Sequence, residues 1–298
     1  MNRKLQLTIE RALEFIETNL PNKITLEQLA RHSHLSKFHL HRLLRHALGM
    51  PVMDYVRARK ITASLETLFS QRYTVLEVGV MYGFEHEQSY IRAFKKQLGL
   101  TPGEFVRRPV EVPLTERFRL SSLSSVQDGI LFEPVTRYKH EMLVAGKRYP
   151  IDLAVNREHF TANRAGRDFY EKHRPCIPHR LKETTYIGLT RYAWEDGRFT
   201  TTYLPSVEVS SVKGLPPGFE PDLIPRHKYL VYTYIGGFHP RHLTINHLEH
   251  IWTRIESGRG SIYKQSAPFH FEIIEEEIAT EAYCEVDIYI PVVPTPIH

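Results

Sequence analysis

Apolar residues recur at helical spacing through the first third of the chain and at alternate positions through much of the remainder. The longest helical pattern is PVMDYVRARKITASLETLF, from Pro51 to Phe69, with Val52, Tyr55, Val56, Ile61, Leu65, Leu68 and Phe69 close to the 3.6-residue period. Pro51 suits its first turn, where a missing N–H costs nothing. At about 1.5 Å per residue such a helix spans roughly 28 Å. Amphipathic helices are expected on both sides of it. Asn2–Leu20 places Leu5, Ile9, Ala12, Leu13, Ile16 and Leu20 on one face and ends at Pro21-Asn22. Thr25, with Gln28 three residues later, forms a capping box for a helix running to about His32. Ser36 then caps SKFHLHRLLRHALG, with Leu40, Leu43, Leu44 and Ala47 inward and Gly49 as the stop.

The pattern returns after the long helix. Thr74 caps VLEVGVMYGF, and HEQSYIRAFKKQLG follows, ended by Gly99. The pieces LARHSHL (29–35) and VGVMYGF (78–84) align at an offset of 49, and RLLR (42–45) and RAFK (92–95) at 50, so the second turn is one residue longer. Ala30 and Gly79 are the small residues that let each helix pair approach closely. Thr101 and Pro102 open a last short helix, TPGEFVRR. Two short helices around a tight turn form a helix-turn-helix, whose second helix enters the major groove. Two such units on one rod fit adjacent groove segments roughly 34 Å apart.

From Pro109 the character changes. Pro109, Pro113, the serines at 121–125 and Asp128-Gly129 read as a linker over 110–130, with room for one strand in ERFRLSSL. Residues 131–298 are richer in strands and aromatics. MLVAGKRYPI alternates as a strand, and AVNREHFTANRAGRDFYEKH reads as one helix with Phe160, Phe169 and Tyr170 inward. TYIGLTRYAW and RFTTTYLPSVEVSSV form a strand pair turned at Glu195-Asp196-Gly197. The order then repeats: strand HKYLVYTYIGGF, helix HLTINHLEHIWTRIESG carrying Leu243, Leu248, Ile251, Trp252 and Ile255, and strands FHFEIIEEE and YCEVDIYIPVV. The expected architecture is multidomain. An all-α double helix-turn-helix domain (1–109) is followed by an α+β domain (131–298) with pseudo-two-fold β-α-β-β repeats and a concave site between its halves.

Charge sharpens the division. Residues 1–109 hold 17 Lys+Arg against 10 Asp+Glu, whereas the remainder holds 22 against 24. Basicity confined to one domain suggests a polyanion partner, which the helix-turn-helix pair makes double-stranded DNA; a mildly basic solvated surface is the competing reading of the charge alone. On the outward faces, Arg42 and Arg92 are equivalent and suited to bidentate contact with guanine. His41 and Gln88 suit base edges, Phe38 a thymine methyl, and Lys37, Arg45, Lys95 and Lys96 the phosphates. A solvated helix face is the competing reading for any one of these, and the same arginine in both copies argues against it. Five histidines crowd the first hairpin (His32, His34, His39, His41, His46), but His39 and His41 face different ways and no cysteine completes a ligand set, so no metal site is expected.

In YCEVDIYIP, alternation places Glu285, Asp287 and Tyr289 on one face. An acid among Tyr149, Tyr192, Trp194, Tyr232, Tyr234 and Phe238 would suit a small lipophilic cation, while solvated acids beside an aromatic core are the competing reading. Two cysteines exclude a disulfide scaffold, and no signal peptide or membrane-length apolar run is present, so a cytoplasmic location is the default. No cofactor is expected, and no nucleophile–His–Asp pattern, phosphate loop or H-E-x-x-H motif supports an enzyme, although a hydrolase or a sequestering module is the alternative.

Residues 5–108 resemble the DNA-binding domain of AraC/XylS-type transcription regulators, and SKFHLHRLLR, DYVRARKI and IRAFKKQLGLTP are similar to the right-origin-binding-protein subgroup. The resemblance implies base contacts at Phe38, His41 and Arg42 and at Glu87, Gln88 and Arg92. It also implies activation through RNA polymerase. Phe38 stands where the subgroup has tryptophan, and His41 and Glu87 where it has glutamine. Residues 135–293 resemble gyrase-inhibitor-like effector-binding domains. Their E-I-Y-I-P ending matches D-I-Y-I-P here, which implies Asp287 as the ligand-facing acid. Two reading helices in one chain imply binding to DNA as a monomer.

Overall fold

The computed structural model describes residues 3–107, 112–120, 123–195, 198–258 and 263–294. It forms two compact units, 3–122 and 123–298. The helical unit holds seven helices among its described residues: α1 (Arg3–Thr18), α2 (Leu26–Ser33), α3 (Lys37–Leu48), α4 (Val52–Phe69), α5 (Val75–Met81), α6 (Glu87–Leu98) and α7 (Pro102–Arg107). Thr25 and Thr74 each accept from the backbone N–H three residues on, and Gln28 and Glu77 complete both capping boxes. Gly49 and Gly99 end α3 and α6 at φ 69° and 79°, a conformation that glycine adopts without steric cost. Pro51 sits one position earlier than the periodicity indicates, as the N-cap of α4 rather than its first residue.

The duplication extends to packing. Leu29, Leu40, Leu43 and Leu44 are fully buried in the first hairpin, and Val78, Tyr90 and Phe94 in the second. A Cβ on Gly79 would lie 3.1 Å from Tyr90 Cβ, so glycine sets the close approach of α5 to α6. Helix α4 carries a buried cation. Lys60 is 5% exposed; its Nζ donates to Asn22 O (2.6 Å) and Tyr82 O (2.8 Å). Burial pushes its pKa down to about 8. One ammonium thus joins the α1–α2 loop to the end of α5. Lys60→Met is expected to leave both carbonyls unpaired and cost about 2–4 kcal/mol. Urea unfolding of the full chain followed by far-UV circular dichroism checks this; an unchanged midpoint for the helical transition would refute it.

The expected linker is not uniform. No strand forms over 112–120. Instead Thr115 N donates to Thr62 Oγ1 (3.1 Å) and Phe118 N to Tyr55 Oη (2.9 Å), which ties this stretch to α4. Residues 124–130, also assigned to the linker, form with Leu131 the hairpin β1 (Ser124–Val126) and β2 (Gly129–Leu131) of the second unit.

That unit is an antiparallel sheet with helices. It continues with β3 (Val135–Lys139), β4 (Met142–Gly146), β5 (Tyr149–Pro150), α8 (Leu153–His159), α9 (Thr161–Asp168), β6 (Thr185–Glu195), β7 (Arg198–Glu208), β8 (Glu220–Ile224), β9 (His227–Gly236), α10 (Ile245–Gly258), β10 (Tyr263–Gln265), β11 (Phe269–Glu275) and β12 (Cys284–Pro294). The strand order β1-β2-β9-β12-β11-β6-β7-β4-β8 places the two β-α-β-β halves back to back, with β6 against β11 at their junction. The helix expected over 154–173 is broken. Phe160 adopts φ 53° between α8 and α9, and residues 169–173 form a π turn. Phe169 is fully buried, whereas Phe160 is 36% exposed. Leu243 precedes α10 rather than lying in it. Strands β3, β8 and β10 lack a readable pattern, being short or proline-flanked. Asp196 and Gly197, of the expected turn, lie outside the described residues; Glu195 pairs with Arg198.

Candidate functional site

The DNA-reading surfaces are the outer faces of α3 and α6. Both helices have 12 residues and share an offset of 50, so Arg42 and Arg92 are each the sixth residue. Neither is buried. The Arg42 guanidinium lies 5.7 Å from the Phe38 ring centroid, and Phe38 is 53% exposed. Arg92 Nε donates to Gln88 O (3.2 Å). Glu87, Gln88, Lys95 and Lys96 are exposed along α6, as are Lys37 and Arg45 on α3, with His41 half-buried. Lys37 pairs with Glu27 (2.8 Å) and Lys96 approaches Asp54 (3.6 Å), so part of this basic surface already has acidic partners. Among the described residues no cluster of His, Cys, Asp or Glu has the form of a metal site.

The second unit contains a cavity of about 1260 Å³ on the face of the sheet that α9 and α10 cover. Five glutamates line it, Glu171, Glu249, Glu256, Glu272 and Glu276, of which Glu272 is the buried one; Asp287 does not line it. Glu272 on β11 lies directly opposite Gly188 on β6 at the junction of the two halves. A Cβ at Gly188 would fall 2.2 Å from Glu272 Oε1 and 2.6 Å from Tyr203 Oη, so only glycine leaves room for this carboxyl. Tyr203 donates to Glu272 Oε1 (3.1 Å), and Tyr186 Oη lies 2.6 Å from Tyr203 Oη. Gly166 on α9 allows the helix to approach Tyr186, whose hydroxyl a Cβ would meet at 2.7 Å. Burial lifts the Glu272 pKa to about 7, opposed by the Tyr203 hydrogen bond. Burial also raises both phenols above their usual range. Trp252 and His270 stand with ring centroids 4.3 Å apart, and Tyr192 hydrogen-bonds His270 Nδ1. Leu248, Ile274 and Ile288 add apolar wall.

Of the expected ligand residues, Tyr192 alone lines this cavity. Alternation along β12 holds, but it places the acids on the far side. Ile288 pairs with Glu272 and shares its face; Asp287, one residue earlier, points the other way. There Asp287 accepts from Thr233 Oγ1 (2.6 Å), and Tyr289 stacks on Phe271 at 4.6 Å. Glu285 is buried and accepts from Tyr283 Oη (2.7 Å). Tyr232 and Tyr234 belong to the core containing Ile251 and Ile255 of α10, and Phe238 packs on His247 at 4.7 Å. Tyr149 pairs with Tyr203 on the adjoining strand, and Trp194 is 73% exposed near the hairpin end. A signal for Glu272 was present in FHFEII: one glutamate between Phe271 and Ile273 in a central strand, a charge that is costly to bury.

Residues 29–108 match the profile of a helix-turn-helix domain, and residues 137–292 that of the integron-associated effector binding proteins. The HTH-type transcriptional activator AarP of Providencia stuartii is 36% identical over 94 residues, covering 32% of this chain and 70% of AarP. The right origin-binding protein of Escherichia coli is 32% identical over 97 residues, and this chain spans 34% of its length. A crystal structure of an integron cassette protein from Vibrio cholerae aligns with 55% of this chain and 99% of its own at 16% identity and a TM-score of 0.41. The chain therefore belongs to the integron-associated effector-binding family through residues 137–292 and, joined to an AraC-type helix-turn-helix domain of the right-origin-binding subgroup, is a DNA-binding transcription regulator with an effector-binding domain.

Proposed function

We propose that this regulator reads an operator through α3 and α6 and is set by a lipophilic cation held against Glu272. The duplicated, identically capped helix pair with an arginine at the same place in each reading helix carries the first half of this reading. Phe38, His41 and Arg42 take one groove segment, and Glu87, Gln88 and Arg92 the next; Lys37, Arg45, Lys95 and Lys96 hold phosphates. Glu87 faces cytosine N4, where a carboxylate can accept a hydrogen bond. One chain supplies both probes, so a monomer engages a non-palindromic site, and the bound regulator recruits RNA polymerase as an activator. An enzymatic role is not part of this reading.

The ligand half rests on the buried carboxyl of Glu272 in a cavity whose wall includes Trp252, Tyr192, Leu248 and Ile288. A cation there restores the ionised form, and its rings pack on Trp252 and Tyr192. Effector acts through whatever difference in affinity it has for the DNA-competent and silent states. Titrating salt against duplex binding tests the DNA half. Four phosphate contacts predict that log K falls with log salt at a slope of about −3.6, or roughly 100-fold between 50 and 200 mM. Absence of binding to any duplex at low salt would overturn it, as would a footprint with two symmetric half-sites and two chains.

A further inference from the structure

At the middle of α4 the loop between α1 and α2 meets the turn between α5 and α6. Lys60 is the ninth of the 18 residues of α4. Its Nζ donates to Asn22 O (2.6 Å) in the loop and to Tyr82 O (2.8 Å) at the end of α5. Gly83 follows at φ 72°. A Cβ there would lie 2.6 Å from Asn22 O and 2.7 Å from Lys60 Nζ, so a side chain at 83 would part the turn from the loop. The Tyr82 hydroxyl donates to Ala63 O (2.8 Å), which fixes the turn on α4. Lys23 pairs with Glu85 (2.5 Å) across the same gap, but both side chains are exposed and such a pair contributes little. These contacts join the first helix-turn-helix half to the second; they lie within neither.

A buried ammonium is costly, and among the described residues no carboxylate pairs with this one. An apolar side chain would serve packing alone at this position. Buried polar groups between helices are best attested as devices that fix register. Register matters here because α3 and α6 lie in different halves. One base pair advances the duplex by about 3.4 Å and turns it by about 34°. Ridges-into-grooves packing admits crossing angles that scatter by roughly 15–20°. Two such packings, one for each half on α4, leave a freedom comparable with one base-pair step. We infer that Lys60, with the close approach that Gly83 allows, sets the operator spacing this regulator accepts, by clamping α3 and α6 in one phase. This rests on α3 and α6 being the reading helices. Two base-pair elements one step too near or too far then engage only one helix. Lys60 is buried, so it is a positioning residue that acts through the helices and not on DNA.

The test uses the full-length protein and a duplex enriched from random sequence. Base pairs whose substitution ceases to matter in Arg42→Ala mark one element, and those that cease to matter in Arg92→Ala mark the other. One base pair is then inserted or removed between the elements, and affinities are read by fluorescence anisotropy. The unaltered protein is expected to lose at least about 10-fold on both altered duplexes, within the worth of one bidentate contact. In Lys60→Met that penalty is expected to fall below about 3-fold. Gly83→Asn is expected to do the same, since asparagine tolerates the positive φ while its Cβ displaces the loop. Lys23→Ala is expected to keep the full penalty. Partial unfolding lowers affinity for all three duplexes alike and leaves their ratio unchanged, so the ratio separates positioning from stability. Binding to a scrambled duplex reports folded protein. Equal binding of the three duplexes by the unaltered protein overturns the inference, as does a full penalty in either Lys60→Met or Gly83→Asn. Failure of the underlying reading looks different: no duplex is selected from the random pool, or neither Arg42→Ala nor Arg92→Ala alters selective binding, and the inference falls with it.

Discussion

Glu272→Gln is expected to weaken binding of (biphenyl-4-yl)methylammonium by about 30-fold or more, because removing one member of a buried charge pair costs about 2–5 kcal/mol. The substitution is nearly isosteric and keeps an acceptor for Tyr203, so the loss reports charge rather than shape. The accompanying pH dependence is specific. With a pKa near 7, Glu272 is largely protonated below neutrality, and a cation must displace that proton to bind. Affinity is expected to rise about tenfold per pH unit from 5 to 7 and level off above. Glu272→Gln is expected to give a flat profile. Stability without ligand changes in the opposite sense. A carboxyl whose pKa is higher in the folded than in the unfolded state favours folding below the unfolded value of 4.5. That advantage is lost as pH rises to about 7, a decline of about 3 kcal/mol. Thermal melts at pH 5 and pH 8 should therefore converge in Glu272→Gln relative to the unaltered protein. Unchanged affinity together with an unchanged pH profile in this variant would remove Glu272 from the site.

Arg42→Ala and Arg92→Ala are each expected to reduce operator affinity by about 5- to 150-fold, the worth of one bidentate guanine contact. The losses should multiply in the double variant, since the two side chains sit on separate helices with separate partners. Affinity for unrelated duplex should fall far less, by the contribution of one positive charge, so the specificity ratio collapses. Lys37→Ala and Lys96→Ala are expected to act more weakly and evenly across sequences. Each of these lysines already has an acidic partner, Glu27 or Asp54, so its contribution to phosphate binding is partly offset. Fluorescence anisotropy on a duplex enriched from random sequence, with a scrambled duplex alongside, measures both quantities. If Arg42→Ala and Arg92→Ala lose specific and non-specific binding equally, the arginines contact backbone and the base-reading assignment fails.

How legible each part was depended on the range of the interactions that form it. The capped helices of the first unit are local objects. Thr25, Thr74, Ser36, Gly49 and Gly99 act within a few residues of themselves, and α3 and α6 each bury an apolar stripe. The break at Phe160 and the strand β8 were not legible, because their conformations depend on neighbours distant in sequence: β8 exists only where it pairs with β4. The candidate acid was misplaced for a related reason. Alternation along β12 correctly separates Asp287 from Ile288, but it does not say which face the helices cover.

By itself, the sequence determined the division into a helical and a sheet unit, the duplicated helix-turn-helix with matched arginines, and the two β-α-β-β repeats, because periodicity, caps and charge are properties of short segments. Only the tertiary structure decided that Glu272, and not Asp287, lines the cavity, and that Gly188 makes room for it. Those facts arise where β6 meets β11 and where α9 lies on the sheet. They are set by pairing register between residues more than 80 positions apart, which no local pattern encodes.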